Sequence, residues 1–187
     1  MLVTEMNSDM VRKLHIGGEV AVAGWEILNV VPGPSVDHIG NANDLSQFID
    51  GSFNTIYASH VLEHFDYKDE LQSALKEWNR VLKPFGWLYV SVPDIDVLAK
   101  LLLAKSLLSF HERFHVMRMM FGGHMDAHDY HAVGLNEELL EYYLKSAGFG
   151  AMAKVDTFNI FQDTSCMTFK DEPISLNMVA RKLASVE

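Results

Sequence analysis

The chain has 187 residues, with 25 acidic against 15 basic side chains and a formal net charge of -10. With 49% of residues hydrophobic and 21% charged, it suits one domain with a buried core and is too apolar for a disordered acidic tail. The acidic balance excludes the broad basic face that grips a phosphate backbone, so no nucleic-acid partner is expected.

In chain order, Met1–Asp9 lacks the basic segment and apolar stretch of a secretory signal. Lys13–Ile16 is a short strand running into Gly17-Gly18. Trp25–Val30 is a second strand, stopped by Pro32-Gly33-Pro34, and Val36–Ile39 is a short third. Phe53–Ala58 is a fourth, with the aromatic and β-branched types of a sheet buried on both faces. Only about eight residues, Gly17 to Gly24, join the first two strands, whereas a parallel crossover needs about a dozen. The first crossover helix is therefore expected to be reduced to a glycine-punctuated loop.

From Tyr67 to Leu82, apolar residues at Leu71, Ala74, Leu75, Trp78, Val81 and Leu82 make a helical stripe. Asp66 or Asp69 is the expected cap and Lys83-Pro84 the stop. Trp87–Val92 is a strand closed by Pro93, and Ile95 to Leu108 is helical. The run from Val97 to Phe110 is broken by Lys100 and Lys105 and falls short of the roughly 20 apolar residues of a membrane span. No membrane partner is expected, and the protein reads as cytoplasmic. A His-, Met- and Gly-rich region reaches Val133. Asn136 caps another helix, stopped by Gly148, and strands follow near Ala153–Phe158 and Ile174–Arg181. Cys166, the lone cysteine, excludes an intrachain disulfide and reads as a buried thiol. The alternation predicts an α/β, Rossmann-like, mostly parallel sheet with helices on both faces, an antiparallel strand near the C-terminus, and a single domain over 1–187.

In such a sheet ligands bind beyond the carboxyl ends of the strands. The residues there are Gly17-Gly18, Asn29-Val30, Asn41-Ala42-Asn43-Asp44, Ser59-His60 and Pro93-Asp94. Gly51-Ser52-Phe53 leading into Ile56-Tyr57-Ala58-Ser59-His60-Val61-Leu62-Glu63-His64, then Leu75-Lys76-Glu77-Trp78-Asn79-Arg80-Val81-Leu82-Lys83-Pro84-Phe85-Gly86, resembles the class I S-adenosylmethionine-dependent methyltransferases. The resemblance runs from about Lys13 to Val92. It implies S-adenosylmethionine as cofactor, S-adenosylhomocysteine as product and a small-molecule or saccharide-type acceptor.

Carried onto this chain, the resemblance implies that Gly17 and Gly18 approach the cofactor, that Asn29 and Val30 stand at the ribose, and that Asn41, Ala42 and Asn43 line the adenine slot. Ser59 and His60 then lie beside the methionine moiety, with His60 as general base. Three departures stand out. Gly17-Gly18-Glu19 is only part of a Gly-x-Gly-x-Gly loop, Asn29 and Asn41 replace acids, and Phe85 replaces a glycine. They motivate a rival reading, a degenerate, non-catalytic binding or regulatory subunit whose mouth Trp25 or Phe85 would plug. A dinucleotide or nucleotide-sugar enzyme would want a fuller glycine loop opening into a long helix.

Residues from about 94 to 134 read as an insert over the ligand mouth, with Asp94, His124, His128, Tyr130 and His131, together with His64, as substrate-pocket candidates. His111/His115 and His124/His128/His131 have metal-ligand spacing on a helix, but Gly122-Gly123 and His128-Asp129-Tyr130-His131 look like loop. No metal site is expected. Leu101–Leu103, Leu107, Leu108 and the Arg113–Phe121 stretch suggest a lid helix or a homodimer seam.

Overall fold

The computed structural model describes residues 11–184, and the reading of Met1–Asp9 lies outside the described residues. The strands are β1 (Lys13–Ile16), β2 (Glu26–Asn29), β3 (His38–Ile39), β4 (Phe53–Ser59), β5 (Leu82–Pro93), β6 (Phe149–Val155), the two-residue pieces β7 (Thr168–Phe169) and β8 (Glu172–Pro173), and β9 (Ser175–Lys182). Seven of them form one sheet in the order β3-β2-β1-β4-β5-β9-β6, and β7 and β8 make a separate ribbon. β1 to β5 pair in parallel, while β9 runs antiparallel to both β5 and β6. This is the mostly parallel, Rossmann-like sheet expected, with its antiparallel strand near the C-terminus. The chain leaves β1 toward β2 and β3, then returns to β4, so the switch point lies between β1 and β4.

The helices are α1 (Glu70–Val81), α2 (Ile95–Leu103), α3 (Phe110–Phe121) and α4 (Glu137–Ser146). On α1, Leu71, Ala74, Leu75, Trp78 and Val81 are buried, which is the stripe read from the sequence. They share one apolar cluster with Ile56 and Ala58 of β4, Leu88 and Val90 of β5, and Leu140 and Leu144 of α4. The Asn136 side chain caps α4 by accepting from the Leu139 N–H, and Gly148 follows the helix at φ +88°. Asp69 is the N-cap of α1 by position, without a capping side-chain bond.

The connection from β1 to β2 carries no helix, as its length requires. The sheet face it leaves open over β1 and β4 is covered instead by residues 156–167. Tyr57 of β4 packs edge-on against His15, Phe158 and Phe161, and its hydroxyl donates to Asp163 Oδ2 at 2.8 Å. Phe158 therefore belongs to this covering segment and not to a strand, since β6 runs earlier, over Phe149–Val155. Cys166 is exposed rather than buried. The short turn Thr164–Cys166 directs Ser165 inward, where it is 4% exposed, and leaves the thiol outside.

The region after β5 also departs from expectation. The helix starting at Ile95 stops at Leu103, and α3 follows as a separate helix in the His-, Met- and Gly-rich region, over the stretch read as a lid helix or a dimer seam. α3 opens on a capping box, in which Ser109 Oγ accepts from the Glu112 N–H and the Glu112 carboxylate accepts from the Ser109 N–H. Leu98 and Val116 of these helices join Leu108 and Ile174 in a second, smaller apolar cluster. No helix among the described residues is long and apolar enough to cross a membrane.

Candidate active site

A cleft of about 520 Å³ opens at the carboxyl ends of β1, β2 and β4, at the switch point. Gly17, Asn29, Val30, Asn41, Ala42, Asn43, His60, His64, His128 and Tyr130 line it, all of them residues singled out from the sequence. Gly17 sits at φ +79°, and a Cβ there would meet Val61 Cγ2 at 2.8 Å, so this position needs glycine on both counts. Neither proposed plug fills the mouth. Trp25 packs on Phe161 and Tyr57 at the opposite face, and Phe85 is 57% exposed under Arg181.

The Asn29 amide is already engaged. Its Nδ2 donates to the Gly18 carbonyl at 3.0 Å, and its Oδ1 accepts from the Val31 N–H at 2.9 Å. An aspartate could not make the first bond, which accounts for an amide here and leaves one N–H and one lone pair for a ligand. Glu19, in the loop after β1, brings a carboxylate to the same cleft; sequence reasoning passed over it. The turn through Asn41–Asn43 is pinned from beneath, because Trp78 Nε1 donates to the Ala42 carbonyl at 2.7 Å.

Four candidates lie off the cleft walls. Gly18 is pressed against His15, whose ring a Cβ would meet at 2.6 Å. The Ser59 hydroxyl pairs with the Thr164 hydroxyl at 2.9 Å. Asp94 caps α2, accepting from the N–H groups of Asp96 and Val97. His124 stacks on Tyr130 with ring centroids 4.0 Å apart.

A second cavity of about 220 Å³ adjoins the first, lined by His131, His115, Arg118 and Met119 among others. His60 and Asp129 border both spaces. The His60 backbone is left-handed (φ +55°), a strained state for a non-glycine residue that its surroundings must enforce. Ser175 Oγ donates to the Thr164 carbonyl at 2.8 Å and so accepts from His60 Nε2 at 2.9 Å. That fixes the proton on Nε2 and leaves the lone pair on Nδ1, which stands 3.4 Å from Glu63 Oε1. Burial, with His131 and His64 nearby, holds the His60 pKa down to about 4.

Glu63 is the residue the sequence did not flag. It is 1% exposed, neither carboxylate oxygen has a hydrogen-bond partner, and burial pushes its pKa up to about 8. His64 and His131 pack edge to face beside it, with centroids 5.1 Å apart. Among the described residues, Glu63, His64 and His131 are the grouping of three ligand-type side chains. The helically spaced histidines of the insert do not converge, because His111 and His115 lie on α3 and the others on the loop after it.

Residues 28–90 match the family model described as a methyltransferase domain. Among curated proteins, no sequence matches. Solved structures share the fold. An S-adenosylmethionine-dependent methyltransferase from Methanosarcina mazei is 17% identical over 93% of each chain, with a TM-score of 0.55. The CalH methyltransferase in complex with S-adenosylhomocysteine is 17% identical over 92% of this chain, with a TM-score of 0.55. The CurJ carbon methyltransferase is 15% identical over 93% of this chain, also at 0.55. This chain spans 51% of the CalH chain, 49% of the CurJ chain and 64% of a similar Bordetella parapertussis protein. In its matched segment and in its fold, the chain is similar to the class I S-adenosylmethionine-dependent methyltransferases.

Proposed function

We propose that the protein transfers the methyl group of S-adenosylmethionine to a small-molecule or saccharide-type acceptor, releasing S-adenosylhomocysteine. The observation that carries this reading is the junction of two cavities at His60 and Asp129. Methyl transfer is an in-line displacement at an already activated sulfonium, so a cofactor space and an acceptor space must meet at one point. The larger cleft takes the cofactor. Gly17 admits its backbone-side approach, Asn29 and Glu19 share the ribose hydroxyls, and Asn41 to Asn43 hold the adenine. The smaller cavity takes the acceptor, with Arg118 and His131 on its walls. His60 presents Nδ1 as the acceptor of a departing proton, its orientation held through Nε2 by Ser175. The setting that goes with this chemistry is the cytoplasm.

Calorimetric titration with S-adenosylmethionine and S-adenosylhomocysteine tests the reading. Both are expected to bind with one-to-one stoichiometry below millimolar concentration, and Asn41→Ala is expected to weaken both. Absence of binding by either ligand at millimolar concentration would overturn it.

A further inference from the structure

We propose that Glu63, His64 and His131 form a site for a divalent transition-metal ion of the zinc type. One ligand-type atom from each of the three lies within 4.8 Å of the others. Two imidazoles and a carboxylate are a donor set that suits zinc, and three protein donors leave a tetrahedral ion a further position for water or a ligand oxygen.

Glu63 is buried without a partner. Its side chain is 2% exposed and both oxygens lack a hydrogen-bond partner. Ionised, it is an unpaired buried charge. Neutral, its O–H has no acceptor close enough, since His60 Nδ1 at 3.4 Å is beyond the usual O–H donor reach. A cation at these oxygens satisfies them.

The His64 imidazole is oriented as a ligand's would be. A carbonyl can only accept, so His64 Nδ1 carries the proton it shares with the Tyr130 carbonyl at 3.0 Å, and its Nε2 keeps a lone pair. Ligating histidines commonly hand their other N–H to a backbone carbonyl, which fixes tautomer and ring orientation.

The backbone holds the three residues together. The Glu63 carbonyl accepts from the N–H groups of Ala132 at 2.7 Å and Val133 at 3.3 Å, and His131 N donates to the Phe121 carbonyl at 3.1 Å. The two halves of the site, about 70 residues apart in sequence, are thus locked in register by backbone bonds. His64 lines the larger cleft and His131 the smaller cavity, so the ion belongs to the partition between them.

The test uses untagged full-length protein stripped on a chelating resin. Zn²⁺ is titrated in competition with a chromophoric chelator, and Co²⁺ spectra give a second readout. Neither measurement depends on methyl transfer. The wild type is expected to bind one ion per chain. His64→Ala, His131→Ala and Glu63→Gln should each lose at least about 100-fold in affinity, since even outer-shell partners are worth 10–100-fold. A His111→Ala/His128→Ala double variant should bind as the wild type does, and Zn²⁺ should raise the unfolding temperature of the wild type but not of Glu63→Gln. Failure of the folded wild type to take up one equivalent overturns the proposal. So does wild-type affinity in the three ligand variants, or loss of binding in the double variant. Where an alanine variant does not fold, the near-isosteric Glu63→Gln decides.

Discussion

His15 shows how one side chain can set a pH limit on the fold. It stands on β1 under Tyr57 and Phe161, its Nδ1 is buried without a partner, and burial holds its pKa down to about 4 against an ordinary 6.5. Between those values the unfolded chain binds the proton more readily, so stability falls as pH drops from about 6.5 toward 4 and is insensitive to this group above that window. Going from pH 7.5 to 5, this one group is expected to cost about 2 kcal/mol. Urea unfolding of the wild type and His15→Gln at both pH values should show the variant with the smaller loss. Phe85 is a second instance. It occupies a left-handed position (φ +61°) where the resembling family has glycine, and its carbonyl accepts from Arg181, whose guanidinium lies over its ring at 5.7 Å. Relief of the strain, about 1–2 kcal/mol, is offset in Phe85→Gly by the freer unfolded chain and the lost cation–π contact. Phe85→Gly should therefore unfold within about 1 kcal/mol of the wild type, whereas Phe85→Ala keeps the strain, loses the ring and should be the less stable of the two.

At the scale of elements, α1 does more than fill the core. One turn of it holds the 41–50 segment. Trp78 donates to the Ala42 carbonyl, Glu77 accepts from the Leu45 N–H, and Arg80 donates to the carbonyls of Leu45 and Phe48. The cleft wall at Asn41–Asn43 is thus positioned from behind by the last turns of α1, whose first residue, Glu70, lines the same cleft. Trp78→Phe keeps most of the apolar bulk but leaves the Ala42 carbonyl unpaired, at a cost of about 1–3 kcal/mol. Urea unfolding should show that loss, and calorimetry should show weaker S-adenosylhomocysteine binding at unchanged stoichiometry. The elements that were legible in the sequence are those where one periodicity dominates, as in α1, α4 and the strands from β1 to β5. The bounds of α3 were not legible because His111, His115 and Arg118 interrupt its apolar row, although Ser109 and Glu112 spell a capping box. Glu63 was hidden for the opposite reason. A charge one residue after Leu62 reads as surface, and only the return of residues 131–133 over that turn buries it. Gly17, Asn29, Asn41 and His60 could be placed because strand ends converge at a switch point whatever the side chains are. Gly18, Ser59 and Asp94 share those ends but turn to His15, to Thr164 and to the start of α2 instead.

At the scale of the whole molecule, the surface is uneven. α3 and its approach expose Leu107, Phe110, Phe114 and Phe121, each more than half accessible, while the chain's charge is strongly acidic overall. Exposed apolar rows of this kind are common at interaction faces, and we propose a second copy of the chain as the occupant of this one. Light scattering at micromolar concentration is expected to read a dimer, and Phe110→Ser/Phe114→Ser a monomer with an unchanged unfolding temperature for the isolated subunit. A monomeric wild type would remove the homodimer.

The cover of the second sheet face has a consequence in time. Tyr57 meets its hydrogen-bonding partners Asp163 and Ser165 across 106 and 108 residues of chain. While the protein is being synthesised, β1 and β4 can pair and α1 can dock as soon as they emerge, but the side bearing His15 and Tyr57 stays bare until residues 156–167 have left the ribosome. Contacts of such long range are slow to close, and apolar surface left open meanwhile invites association with other nascent chains. A helix between β1 and β2 would have supplied an early cover. In its place the molecule relies on a cover made 106 residues after Tyr57.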